Sequence, residues 1–199
     1  MEKYQKVIII NIGKERSNMD KSIMGNPKQY AIEFAFDDET RETELSMFID
    51  DVNILEFQMD GIKLTTKWNI DELVLWLRSF IDNMCEDPYP VSADGQFAAE
   101  KDINARDFDS DDDDEFDAYY DLLDEWNSRH RWHPAASGAI LADLYFQLVG
   151  GKVEISWNNQ DCEENVSFTN VLGGCSVDRN VFVSVVEDFL REYAMHWFN

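Results

Sequence analysis

The stretch ILADLYFQLVGGKVEISW, residues 140–157, restricts the fold more than any other part of the chain. Leu144, Phe146 and Leu148 recur at every second position, and Val153, Ile155 and Trp157 do the same after the Gly150-Gly151 pair. Side chains of a strand alternate between its two faces, and glycine supplies the positive φ of a tight hairpin turn. The pattern therefore predicts a β-hairpin, and with it an antiparallel sheet that has an apolar face to cover.

Other segments supply partners for that sheet. In YAIEFAF, Tyr30, Ile32, Phe34 and Phe36 alternate with smaller or charged residues, which predicts a strand covered on one face. KVIIINI at residues 6–12 is β-branched and predicts an early strand, and RSNMDKSIMGNPK predicts a polar loop turning at Gly25-Asn26-Pro27. ELSMFIDDVNILEF and GIKLTT read as strands joined through Asp60-Gly61, and ENVSFTNV adds another.

Two helices are equally legible. Residues 69–84 open with Asn69 and Glu72 in a capping-box spacing and carry a stripe of Ile70, Leu73, Leu77, Phe80, Ile81 and Met84, broadened by Leu75 and Trp76. Pro88 and Pro90 end regular structure there. The last helix starts near Asp178 and runs through Phe182, Val185, Val186, Phe189, Tyr193 and Trp197. Between them, Phe116, Tyr119, Tyr120, Leu123 and Trp126 place at least residues 115–127 on an amphipathic helix, preceded by a polar, aperiodic stretch. The expectation is one α+β domain over residues 1–199: a largely antiparallel sheet packed against two or three helices, with a polar and acidic excursion around 91–114.

Charge narrows the partners. The chain has 41 acidic residues against 17 basic ones, a formal charge of -24 and a pI near 4.2. Such a field repels phosphate backbones and anionic lipid and attracts basic proteins. No basic patch interleaved with aromatics is present, so neither direct nucleic-acid binding nor a membrane partner is expected. No segment approaches the ~18 apolar residues of a membrane span, and the N-terminal apolar run is too short for a signal-peptide core, so a cytoplasmic location is expected. Cys85, Cys162 and Cys175 are too few and too scattered for a disulfide framework and are expected to be reduced.

Catalytic signatures are lacking. Asp107, Asp109, Asp111 and Asp113 alternate like the opening of a calcium loop, yet neither frame has glycine at its sixth position. The twelfth residue is Ala118 or Tyr120, where a bidentate glutamate is required. His130 and His133 form the closest histidine pair, but a zinc site needs three or four ligands, and Asp124, Cys162, Cys175 or His196 would have to complete it. Ser137-Gly138 lacks the nucleophile elbow, VGGKVEIS has the wrong spacing for a phosphate loop, and a Cys175–His196–Asp178 set has no motif behind it. The expectation is a non-enzyme without cofactor or dedicated metal. A small metal-dependent enzyme around His130 and His133 is the alternative from that class, and an adaptor protein whose charge serves solubility is another.

The remaining feature is DFDSDDDDEFDAYYDLLDEW, residues 107–126, which no Lys or Arg interrupts. The predicted partner-binding residues are Asp107, Asp109, Asp111, Asp112, Asp113, Asp114, Glu115, Asp117, Asp121 and Asp124, with Tyr119, Tyr120, Trp126 and Trp132 as aromatic anchors. Opposite fields speed encounter, and a few buried aromatics carry much of the affinity. The aspartates also suit a helix N-terminus without any ligand. In size and charge, with no shared motif, the chain resembles bacterial immunity proteins that neutralise nuclease toxins. It is similar in the same way to phage nucleic-acid mimics that inhibit host defence complexes. The resemblance implies an acidic inhibitor of a basic protein, a nuclease or a nucleic-acid-binding defence protein.

Overall fold

The hairpin forms as the alternation predicts: Leu148 faces Val153, Phe146 faces Ile155 and Leu144 faces Trp157. Gly150 and Gly151 take φ values of 58° and 80° at the turn. The computed structural model describes residues 21–132, 140–162 and 165–196. The strand expected at residues 6–12 lies outside them, as do His133, Ser137 and Trp197.

In chain order the elements are β1 (Lys21–Asn26), β2 (Tyr30–Phe36), β3 (Thr43–Ile49), β4 (Val52–Asn53), β5 (Phe57–Met59), β6 (Ile62–Leu64), β7 (Lys67–Trp68) and α1 (Asp71–Glu86). They continue with α2 (Ala98–Ala105), α3 (Asp113–His130), β8 (Arg131–Trp132), β9 (Leu144–Val149), β10 (Lys152–Asn158), β11 (Val166–Phe168), β12 (Leu172–Asp178) and α4 (Arg179–Met195). One sheet runs β1-β2-β3-β4 with β7 also on β3, a second runs β12-β10-β9-β8, and a third runs β11-β5-β6. Every pairing among the described residues is antiparallel. The chain is an α+β fold of the expected kind, with four helices among the described residues.

The main core joins the first two sheets through α1 and α4. Tyr30 stacks on Phe182, Phe34 meets Phe189 edge-on, and Phe146 packs against both Trp76 and Phe182. β2 is buried along nearly its whole length, so its alternation marks which residues face α4 and does not mark a solvent face. Asp178 caps α4, its Oδ1 accepting from the amides of Asn180 and Val181.

Four local expectations change. Residues 21–26 form the edge strand β1 and not a loop, because backbone pairing with β2 across the turn after Asn26 outweighs their weak β preference. At α1 the cap position is Ile70, so Asn69 accepts from the Asp71 amide one residue early and the capping box with Glu72 does not close. Leu75 is 61% exposed and does not widen the buried stripe. The excursion around 91–114 contains a helix, α2, whose buried residues are mostly alanines. Small side chains give little periodic signal, although they allow a helix to lie close on a sheet.

Candidate functional site

The second sheet has a face that the main core does not use. Tyr145 and Gln147 of β9 and Glu154 and Ser156 of β10 all point there, and all four are buried. Buried polar groups need partners. The N-terminus of α2 provides them: Glu154 Oε1 accepts from the Ala98 amide at 2.7 Å and from Gln147 Nε2 at 2.8 Å, and Ser156 Oγ accepts from the Ala99 amide at 3.2 Å. Two of the amides that a helix start leaves without intrahelical partners are thus satisfied by the sheet beneath. Gln147 Oε1 also accepts from the Tyr89 amide at 3.1 Å. Gly174 of β12 completes the seat, since a Cβ there would lie 2.7 Å from the Phe97 ring.

A second polar cluster fixes the other end of α2. Asp102, 3% exposed, accepts from Asn127 Nδ2 at 2.9 Å, from the Tyr145 hydroxyl at 3.2 Å and from Arg106 at 3.1 Å. Arg131 forms a two-pronged pair with Asp143 at 2.9 and 2.7 Å. Burial works against the Arg131 charge, but the Asp143 carboxylate outweighs it and raises the Arg131 pKa. Around these bonds sits a small apolar cluster of Tyr89, Ala98, Ala99, Ala105, Leu123, Trp126 and Tyr145. The excursion is therefore an ordered helical layer, held to the sheet by buried hydrogen bonds as well as by a small apolar cluster.

The acidic run forms the outside of this layer. Asp112 caps α3, its Oδ1 accepting from the amides of Asp114 at 3.0 Å and Glu115 at 3.2 Å. Asp113, Asp114 and Glu115 occupy the first turn, where the helix dipole favours negative charge. Asp107, Asp109, Asp111, Asp112, Asp113, Asp114, Glu115, Asp117, Asp121 and Asp124 are all exposed. Among the described residues, no Lys or Arg pairs with any of them, and the ion pair on α3 joins Arg129 to Glu125 at 2.6 Å. The nearby Arg106 is turned inward to Asp102. Ten exposed carboxylates thus cluster at residues 107–124 with no Lys or Arg partner among the described residues.

Among the expected anchors, Tyr119 and Tyr120 are half-buried on this surface. Tyr119 stacks on Phe108 with ring centroids 3.9 Å apart, and Tyr120 lies 4.7 Å from Phe116. The Tyr120 hydroxyl donates toward the carbonyl oxygens of Arg106 and Phe108, at 2.9 and 3.1 Å, tying α3 to the segment after α2. Trp126 and Trp132 are not surface anchors. They are 2% and 3% exposed. Trp126 donates to the Pro88 carbonyl at 3.0 Å and stacks on His130, while Trp132 packs near Phe146 in the main core. Helical spacing identifies an apolar stripe but cannot say whether a second layer covers it. Phe108 and Phe116, absent from the expected set, belong to the aromatic surface. Their position inside the acidic run was the available signal.

The histidine reading changes as well. His130 is fully buried at the end of α3, with Nδ1 2.8 Å from the Phe146 carbonyl oxygen and Nε2 3.5 Å from Asp87. Burial lowers its pKa, against the opposing pull of the Phe146 carbonyl and Asp87. Among the described residues, no group of three or more His, Cys, Asp or Glu side chains is arranged to hold a metal. Cys85, Cys162 and Cys175 are free thiols, and burial pushes Cys175 up to about 12. Asp178 and His196 cap opposite ends of α4, about 25 Å apart at 1.5 Å per residue, so they cannot serve Cys175 together. No described helix is long and apolar enough to cross a membrane.

No protein-family model and no curated protein matches the chain. Among solved structures it is similar to the crystal structure of CdiI from Burkholderia dolosa AUO158, at 17% identity over 86% of this chain and 99% of that one, with a TM-score of 0.39. So distant a likeness carries no argument about role.

Proposed function

We propose that the chain is an acidic inhibitor that binds and neutralises a basic protein, and that the target is a nuclease toxin, which makes the chain an immunity protein. The observation that carries this reading is the set of ten exposed carboxylates at residues 107–124, unpaired with any described cation and mounted on a layer held by buried hydrogen bonds. A nuclease needs a cationic cleft for its substrate, and an anionic surface of fixed shape blocks it while the opposite fields speed encounter. The concentration of charge at one helix start suits the blockade of a single cleft. A nucleic-acid mimic would spread its carboxylates along an extended surface.

The test is affinity capture from the native cells with the full chain, at low and at high salt, followed by assay of what is captured. The expected result is a basic nuclease retained at low salt whose activity falls to background at equimolar chain. Failure to retain any basic protein at low salt, or a captured nuclease that stays fully active in the complex, would overturn the reading.

A further inference from the structure

An anionic surface steers a partner but does not by itself fix its register, and one cleft in the acidic layer has the chemistry to do so. The end of α2 and the segments on either side of it form a shallow, open cleft of about 330 Å³, lined among others by Asp94, Asn104, Ala105, Asp107, Phe108 and Tyr119. We propose that this cleft receives an arginine side chain of the basic partner; the source of that arginine rests on the function proposed above.

The cleft offers both things that a guanidinium needs. Phe108 and Tyr119 are half-buried and both line the cleft; they stack on each other at 3.9 Å with an interplanar angle of 13°, so a guanidinium would take the outer face of one ring. Asp94 and Asp107 are exposed acceptors beside it, and among the described residues neither has a cationic partner.

The cleft is also formed in advance. Asn104 Nδ2 donates to the Asp94 carbonyl at 2.7 Å, and the Tyr120 hydroxyl ties down the carbonyls of Arg106 and Phe108. These bonds hold the two carboxylate-bearing segments and the ring pair in place before anything binds, which lowers the ordering cost of association. The geometry selects arginine over lysine. A guanidinium is planar, weakly hydrated and able to stack on a ring while donating to carboxylates at its edge, whereas an ammonium is a strongly hydrated point charge.

The test uses the intact chain and three probes: a blocked Gly-Arg-Gly peptide, its Gly-Lys-Gly counterpart and free L-arginine. Amide NMR shifts report site and affinity together. The arginine peptide is expected to bind about fivefold more tightly than the lysine peptide, the size of an exposed cation–π contribution, with shifts confined to residues 92–95, 104–109 and 119. Phe108→Leu combined with Tyr119→Leu should reduce arginine to the affinity of lysine. Asp107→Asn, which keeps the cleft's shape, should weaken both peptides.

Equal affinities for the two peptides, shifts spread along α3, or an arginine preference that survives loss of both rings would overturn the proposal. Free arginine binding more tightly than the blocked peptide would also overturn it, because the cleft would then serve a small molecule. None of the probes involves the partner, so a negative result removes the arginine pocket without touching the neutralising role. Failure of affinity capture has the opposite meaning.

Discussion

The two faces of the sheet β12-β10-β9-β8 are covered by different chemistry. On one, Leu144, Phe146, Val153, Ile155 and Val177 join a core of large apolar side chains beneath α1 and α4. On the other, Tyr145, Gln147, Glu154 and Ser156 meet a layer in which α2 buries mostly alanines beside Tyr89, Leu123 and Trp126, and whose hold is partly directional. Burial of large apolar groups is worth about 1.5–3 kcal/mol per side chain and is indifferent to small rotations. Hydrogen bonds are worth about 1 kcal/mol each, more when a charged group takes part, but they fail when geometry is lost. The comparison teaches that one face supplies stability, whereas the other specifies the position of a strongly charged layer. A layer meant to present a fixed pattern of carboxylates needs the second kind of attachment.

The sharpest way to break the comparison is to damage each face in turn. Phe146→Ala, on the apolar face, is expected to cost about 3–5 kcal/mol. Denaturant unfolding should show one cooperative transition at a lower midpoint, with both faces failing together. Glu154→Ala leaves the Ala98 amide and the Gln147 side chain without their acceptor and is expected to cost about 2–3 kcal/mol. Its effect should be uneven. Hydrogen exchange should accelerate across α2 and the start of α3 while α4 and β2 retain their protection, and uniform acceleration would refute the division of labour.

A smaller loss is expected within the layer itself. Tyr120→Phe removes the donor to Arg106 and Phe108 carbonyls and should cost about 1 kcal/mol. Exchange should rise at residues 106–112 before any change in the midpoint of thermal unfolding.

The smallest effect is a pH dependence at the seam between layer and sheet. Burial lowers the pKa of His130 from 6.5 in the folded chain, so the unfolded chain binds a proton at mildly acidic pH that the folded chain refuses. The contribution of His130 to stability is therefore fully present above about pH 6.5 and declines as pH falls below it. Falling pH also relieves repulsion among the carboxylates, so the comparison must be with His130→Gln over the same range. The wild type should lose stability relative to the variant between pH 7 and 5, and a constant difference would show that His130 does not titrate on unfolding.

Much of this architecture is legible in the chain, for a physical reason. Residues that pack against one layer leave a periodic signal, as in Leu144–Phe146–Leu148, in Phe182–Val185–Val186–Phe189, and in the turn at Gly150-Gly151. Two layers erase it. Gln147, Glu154 and Ser156 have the look of a solvent face but lie beneath α2, and Trp126 resembles an exposed anchor but lies on the buried face of α3. α2 itself is hidden because alanine carries little hydrophobic contrast. The acidic block is plain in the sequence. Its attachment is not, because that depends on bonds such as Ala98 to Glu154 between residues far apart in the chain.

The central claim is that the carboxylates on this layer dock a basic protein. The direct measurement is the association rate of the chain with its captured nuclease, across a series of salt concentrations, for wild type and for a variant with Asp107, Asp109, Asp111, Asp113, Asp114 and Asp117 changed to Asn. Asp112 is kept because it caps α3. The account predicts at least about a tenfold slower association at low salt and a much flatter salt dependence in the variant, with thermal stability unchanged or raised. Wild-type rates and salt dependence in a folded variant would contradict it.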